Sequence, residues 1–164
     1  ILGPDGRKVE PGEQGEITVQ GASRMLGYFR DPEATRAAID ADGFLHTGDL
    51  GYLDGDGILH ITGRIKEIII RNGVNLSARR IEEALLSVPG VSAAAVVGIP
   101  DAKQGEVPAA MAVSDRTEVE LLVDLAEKLP KNEIPVRIWL TESIPLTPSG
   151  KPDKQTIQKL LQKA

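Results

Sequence analysis

Residues 63–83 read GRIKEIIIRNGVNLSARRIEE, and three local signals follow one another within them. Ile68-Ile69-Ile70 is a β-branched run that suits a pleated, half-buried strand. Asn72-Gly73 ends it, and this dipeptide favours a tight two-residue turn because both residues accept left-handed backbone angles. Ser77 then offers an oxygen to a free helix N–H, and Ile81, Ala84, Leu85 and Val88 recur on one face at helical spacing. Pro89-Gly90 stops that helix. Strand, turn and helix in so short a span predict a mixed domain rather than an all-α or all-β one.

Working outward towards the C-terminus, Val91 to Ile99 and Val107 to Val113 read as strands. Thr117 with Glu120 has capping-box spacing, opening a helix that turns Leu121, Leu122, Leu125 and Leu129 inward. Val136 to Leu140 is a further strand, and Pro145 to Pro152 a polar loop. Asp153 caps a last helix with Ile157, Leu160 and Leu161 as its apolar stripe. Strands alternating with helices on short links predict a small α+β domain of about 100 residues.

Towards the N-terminus the elements shorten. Glu16 to Val19 reads as a strand, and Asp31-Pro32 as a helix start with a capping carboxylate and Pro at the first position. That helix ends by Asp42-Gly43. Leu50 to Leu53, Asp54-Gly55-Asp56-Gly57 and Ile58 to Thr62 read as a hairpin. A sheet this small leaves an apolar face bare and calls for a partner surface. Residues 1–60 hold 11 acidic and 5 basic side chains, the remainder 13 and 14. This asymmetry is compatible with two units meeting near residue 62.

Composition removes several classes. With 41% hydrophobic and 26% charged residues the chain can build a core. Only 3% is aromatic, so that core must be made from Leu, Ile, Val and Ala. Zero cysteines exclude a disulfide scaffold, a thiolate metal site and a cysteine nucleophile. A net charge of -5 with few rings argues against general nucleic-acid binding. No apolar run is long enough for a membrane helix, and no signal peptide is visible. The expected location is cytoplasmic, and the missing initiator Met suggests a fragment or processed chain. No metal site is expected, because only two His are present and neither has H-x-x-x-H spacing.

Three polar segments can carry chemistry. In His46-Thr47-Gly48-Asp49, Asp49 can accept two hydrogen bonds from a vicinal diol such as a ribose, and Gly48 permits close approach. In Gly63-Arg64-Ile65-Lys66-Glu67, the Arg64 fork can meet an anionic or ribosyl group, and Lys66 stands where a hinge has to bend. In Thr147-Pro148-Ser149-Gly150-Lys151, a loop Lys can bring positive charge to a phosphoryl group in transit. The spacing there is not that of a P-loop. Each segment also has a plain structural reading: an Asx-type turn, a solvated basic turn and an exposed loop lysine. Composition and spacing alone leave a globular chain with three candidate ligand loops.

Taken together and in order, these stretches resemble the adenylate-forming superfamily, which includes acyl-CoA synthetases, peptide-synthetase adenylation domains and beetle luciferases. The resemblance rests on Gly15-Glu16-Ile17-Thr18-Val19 with Gly27-Tyr28, on Gly43 to Leu50 (GFLHTGDL), on Gly63 to Glu83, and on Pro145 to Lys154 (PLTPSGKPDK). The segments VPGVSAAAVVGIPD and GEVPAAM match as well, so it spans essentially the whole chain. It implies an α+β fold in which residues 1–63 are the closing β-rich part of a large AMP-binding domain. Residues 64–164 are then the mobile C-terminal lid.

The resemblance implies a two-step reaction. A carboxylate attacks the α-phosphate of ATP, giving acyl-adenylate and pyrophosphate; the lid then rotates, and a thiol, usually of CoA, attacks the acyl carbonyl. By position, Asp49 corresponds to the ribose-binding carboxylate and Arg64 to the family's nucleotide-contacting Arg. Lys66 corresponds to the hinge, Lys151 to the adenylation Lys, and Gly73 to the loop lining the pantetheine path. Mg2+ is expected with ATP, its ligands outside this chain.

The sequence departs from the family in several places. Ala78 follows Ser77 where many relatives have Pro, and Phe44 stands where many have Trp. Lys154 replaces the usual Arg three positions after the catalytic Lys. Ile70 occupies the position of a second functional Lys in luciferases, which favours thioester synthesis over bioluminescence.

The family's phosphate loop, adenine-binding segment and acyl pocket all precede residue 1. The expected function is therefore that of a fragment of an ATP-dependent acyl-CoA synthetase, inactive alone, whose partners are the missing N-terminal domain of the same polypeptide and a carboxylic acid. The alternatives are a ligase loading a carrier-protein thiol and a stand-alone, non-catalytic lid-like binding module.

Overall fold

The computed structural model describes residues 1–163. Chain contacts divide it into two compact units, Ile1–Lys66 and Glu67–Ala164.

The first unit is built on a three-stranded antiparallel sheet in the order β1 (Gly15–Val19), β2 (Leu45–Leu53), β3 (Leu59–Arg64). Helix α1 (Pro32–Ala38) begins as expected: Asp31 caps it, accepting from Ala34 N at 2.8 Å, with Pro32 behind it. It ends at Ile39, before Asp42-Gly43. The β2–β3 connection is held by Asp54, whose carboxylate accepts from the N–H groups of Asp56 and Ile58 at 3.0 and 2.9 Å. The tetrapeptide His46–Asp49 does not precede the hairpin as a loop. It lies inside β2, and Gly63 and Arg64 close β3 rather than opening a turn. The sequence pattern hid this because the strand is irregular there. Pairing shifts from Thr18↔His46 to Glu16↔Leu50, so Thr47, Gly48 and Asp49 stand opposite Ile17 alone. Such a bulge bends a strand and re-aims its side chains. Gly48 takes φ +71 within it, a left-handed angle that glycine adopts without cost.

The second unit contains β4 (Ile68–Arg71), β5 (Val74–Ser77), α2 (Ala78–Leu86), β6 (Val91–Asp101), β7 (Gly105–Ser114), α3 (Glu118–Lys128), β8 (Ile138–Leu140) and α4 (Lys154–Lys163). Its sheet runs β5-β4-β7-β6, antiparallel throughout, with β8 added parallel to β7. Asn72 and Gly73 take φ +51 and +77 in the β4–β5 turn, as a two-residue hairpin of this kind requires. Ser77 caps α2 through Arg80 N, and Thr117 and Glu120 form a reciprocal capping box on α3. The strand expected from Val136 begins only at Ile138.

The β6–β7 hairpin is buried on both faces, and the pleat sends alternate residues to two cores. Val96, Ala110 and Ala112 pack with Ile81 and Leu85 from α2, with Val88 just beyond it, and with Leu121 and Leu125 from α3. Ala95, Val97, Ala109 and Met111 pack with Ile157 and Leu161 from α4. Leu160, expected in the α4 stripe, is 42% exposed. The stripe is the i, i+4 pair Ile157 and Leu161, and one step round the helix points outward.

Removing atoms from the first core should leave a cavity that the two-sided packing cannot collapse. Leu85→Ala is expected to lower stability to urea unfolding by about 2–5 kcal/mol. Val123→Ala, at a site 57% exposed on α3, should change it by less than about 0.5 kcal/mol.

Candidate functional site

The β2–β3 ladder brings two of the expected residues together. Asp49 and Arg64 are register partners across β2 and β3, and Arg64 Nε donates to Asp49 Oδ1 at 2.8 Å. Their side chains remain 29% and 58% exposed. A water-facing pair of this kind contributes little to stability. What it fixes is geometry: a carboxylate with a second oxygen open to a hydroxyl, beside a guanidinium with donors to spare.

The bulge is held in place by a residue whose role the sequence did not reveal. Glu16, on β1, uses both carboxylate oxygens. Oε1 accepts from the bulge N–H of Gly48 at 3.0 Å, and Oε2 lies 2.7 Å from His46 Nδ1. Thr47 completes the arrangement, donating its hydroxyl to Ile17 O at 2.6 Å and accepting from Asp49 N at 3.1 Å. His46 Nε2 lies 3.4 Å from Asp40. The imidazole thus sits between two carboxylates, and the hydrogen bond to Glu16, reinforced by charge attraction to Glu16 and Asp40, raises its pKa above the ordinary 6.5. Asp40 is held below the usual carboxylate range, first by the Phe44 N–H and then by His46.

Lys66 is exposed within a short 3-10 turn, Ile65–Glu67, and is the last residue of the first unit. Gly73 and Lys151 lie on separate turns of the second unit. A side chain at Gly73 would meet nothing within 4 Å in this chain, so its backbone angle, not local crowding, is what requires glycine there.

Lys151 stands on a closed turn. Thr147 N donates to Lys151 O at 2.7 Å, Gly150 N donates to Thr147 O at 2.9 Å, and Leu146 pairs with Pro152 across the base. Its ammonium has no partner among the described residues. Asp153, two residues on, caps α4 by accepting from the Thr156 hydroxyl and N–H at 2.7 and 3.1 Å, which lower its pKa. Lys154 is held quite differently. Its ammonium donates to Glu82 on α2 and to Val96 O on β6, the latter at 2.9 Å, and lies 3.7 Å from Glu67.

The family model described as the AMP-binding enzyme C-terminal domain matches residues 80–151. A 2-succinylbenzoate–CoA ligase of Bacillus cereus is 43% identical over 160 residues, 96% of this chain and 33% of that protein. Among solved structures, ATP-bound MatB from Rhodopseudomonas palustris superposes with a TM-score of 0.90 at 33% identity, covering 98% of this chain and 33% of that one. The amide bond synthetase McbA of Marinactinospora thermotolerans gives 0.91 at 39% identity, covering 98% and 33%.

Residues 80–151 belong to the AMP-binding enzyme C-terminal domain family. The chain as a whole is similar to the C-terminal region of adenylate-forming, acyl-CoA synthetase-like enzymes, and its small α+β domain matches their C-terminal lid. It spans about a third of the length of the adenylate-forming relatives it matches. No helix of the described residues is long and apolar enough to cross a membrane.

The Glu16–His46 contact makes a titration test. Because the folded pKa of His46 is raised, its contribution to stability is complete below the unfolded value of 6.5 and is lost as pH rises through the folded value. Imidazole proton NMR should show His46 titrating above 6.5 in the native chain and closer to it in Glu16→Gln. The stability gap between native chain and variant should narrow from about pH 6 towards pH 9. A gap that widens over this range would contradict the assignment.

Proposed function

We propose that this chain is the C-terminal part of an ATP-dependent acid–thiol ligase that activates a carboxylic acid as its acyl-adenylate and passes the acyl group to the thiol of CoA. In this reading residues 1–63 close the large AMP-binding domain and residues 64–164 form the lid. Asp49 receives the ribose hydroxyls, with Arg64 holding it and contacting the nucleotide. Lys66 is the hinge, and Gly73 lies on the pantetheine path.

The observation that carries the reading is Lys151. Its ammonium is exposed and unpaired among the described residues, while its backbone is fixed by a hydrogen-bonded turn. A surface lysine with no task does not need such a turn. A cation presented to phosphoryl oxygens does, because charge grows on those oxygens as the carboxylate attacks, and a fixed ammonium stabilises it without reorganising. Excluding water from the site strengthens this effect. In the second step the thiol attacks the acyl carbonyl and AMP leaves. Mg2+ would arrive with ATP: among the described residues no three His, Cys, Asp or Glu side chains are grouped to hold a metal ion.

Leu26 and Phe29, 98% and 87% exposed, form with Tyr28 an apolar surface in the first unit. In this reading the rest of the large domain covers it. The chain alone then lacks most of the ATP and acyl pockets and is inactive without that remainder.

The likeness to an amide bond synthetase supports one second reading, transfer of the acyl group to an amine. Carrier-protein thiols present the same phosphopantetheine arm as CoA and form a third arm of the test. The intact protein should exchange labelled pyrophosphate into ATP when supplied with its acid, and Lys151→Ala should reduce that exchange by about 100-fold or more. Adding CoA, an amine or a carrier protein in turn identifies the acceptor. Undiminished exchange in Lys151→Ala would refute the assignment.

A further inference from the structure

Three residues after Lys151, a second lysine is used in the opposite way. Lys154 opens α4, yet its side chain is 26% exposed and turned into the unit. There it joins four elements. Glu82 on α2, 18% exposed, accepts from the ammonium and also from Val96 N at 2.7 Å. Val96 O on β6 accepts from the same ammonium. Glu67, the first residue of this unit and the neighbour of Lys66, supplies a second carboxylate. The Lys151 turn leads straight into this anchor, and Asp153 N donates to Pro145 O at 2.8 Å across the base of the turn.

We propose that Lys154 is a positioning residue for Lys151: its ammonium, clamped by Glu82 and Val96 O, fixes the C-terminal foot of the turn and so the place at which Lys151 presents its charge. The inference rests on the adenylation role given to Lys151 above.

The chemistry of the pocket favours this over a general stabilising role. Ile157 and Leu161 already fasten α4 to the sheet, so the helix does not need a further bond to stay docked. What those contacts leave free is the first turn of α4, the part that carries the loop. A partly buried carboxylate and a strand carbonyl are strong, directional acceptors. They hold that first turn against sliding or fraying where apolar contacts are non-directional. An error of about 1 Å at a catalytic group is enough to cost a large part of its effect. An arginine at this position also reaches such acceptors, so Lys154→Arg separates the need for a clamped cation from the need for this side chain.

The test uses the intact enzyme with Lys154→Gln and Lys154→Arg. Lys154→Gln should lower the turnover number of pyrophosphate exchange by about tenfold or more with little change in the KM for ATP. Thioester formation from supplied acyl-adenylate should stay close to the native rate. Lys154→Arg should keep most of both rates. The amide protons of Gly150 and Asp153 should exchange with solvent faster in Lys154→Gln, while those of the β4–β5 hairpin should not change. Equal loss in both half-reactions together with a lowered Tm would reduce Lys154 to a structural bond and overturn the proposal. Unchanged pyrophosphate exchange or unchanged amide exchange in the turn would overturn it as well. An intact native protein that forms no acyl-adenylate with any acid refutes the parent reading, and the amide exchange of the turn then still decides whether Lys154 fixes it.

Discussion

Two-sided burial of the β6–β7 hairpin is the constraint from which the second unit follows. From Val107 to Ala112 every residue of β7 is buried, and the pleat sends neighbours to opposite faces. A register slip of one residue would therefore exchange the two cores entirely. The register is paired continuously from Ala93↔Val113 to Asp101↔Gly105. Small side chains make this possible. Ala95, Ala109, Ala110 and Ala112 let helices approach both faces closely, which suits a chain with few aromatic residues to fill wider gaps. With α2 and α3 on one face and α4 on the other, the chain must pass round the sheet between β8 and α4. The Lys151 turn is that passage. Its place outside the core is a topological result before it is a functional one.

In the first unit the functional geometry arises from departures from a regular ladder. Asp49 stands beside Arg64 because β3 carries an extra residue between its pairings with Gly51 and Leu50, while on the other side of β2 three residues oppose one of β1. A regular ladder would satisfy more backbone groups but would aim these side chains differently. The bulge N–H of Gly48 lacks a strand partner and finds Glu16 instead. One carboxylate thereby repairs the backbone and fixes the imidazole of His46. His46, Thr47 and Gly48 are thus tied to β1 through side chains, which holds an irregular stretch in place in a small sheet.

Local signals in the sequence were readable where the physics is local. Asp31, Ser77 and Thr117 cap the helices expected of them, and Asn72-Gly73 makes its turn, because each depends on residues within four positions. The apolar stripes of α2 and α3 were legible for the same reason. The position of His46–Asp49 was not. Glycine and aspartate in series look like a loop, and only pairing with β1 and β3 makes them a strand. Glu16 and His46 are 30 positions apart, and Glu82 and Lys154 are 72 apart. No periodicity in one sequence links such pairs. Leu160 failed for a subtler reason: α4 meets the sheet along a narrow line, so an adjacent leucine is left outside. The family resemblance supplied what spacing lacked, the expectation that Asp49, Arg64 and Lys151 serve a nucleotide site, which stands here as a proposal. It treated Lys154 only as a departure.

Lys151 and Lys154 together show how a flexible side chain can be made precise. A lysine has many rotamers, and ordering one costs conformational entropy. In the adenylation role proposed for Lys151, its ammonium could not be immobilised by protein carboxylates, because they would compete with the phosphoryl oxygens. The structure separates the two demands. Rigidity is built into the backbone on either side of Lys151, through the Thr147 turn before it and the anchored first turn of α4 after it, while the ammonium stays unpaired. Two carboxylates are engaged by Lys154. Glu82 is occupied by an ammonium and a backbone N–H, and Glu67 lies beside the same ammonium. On this view Lys154 holds the loop through its own ammonium, while the ammonium of Lys151 is left unpaired for a ligand.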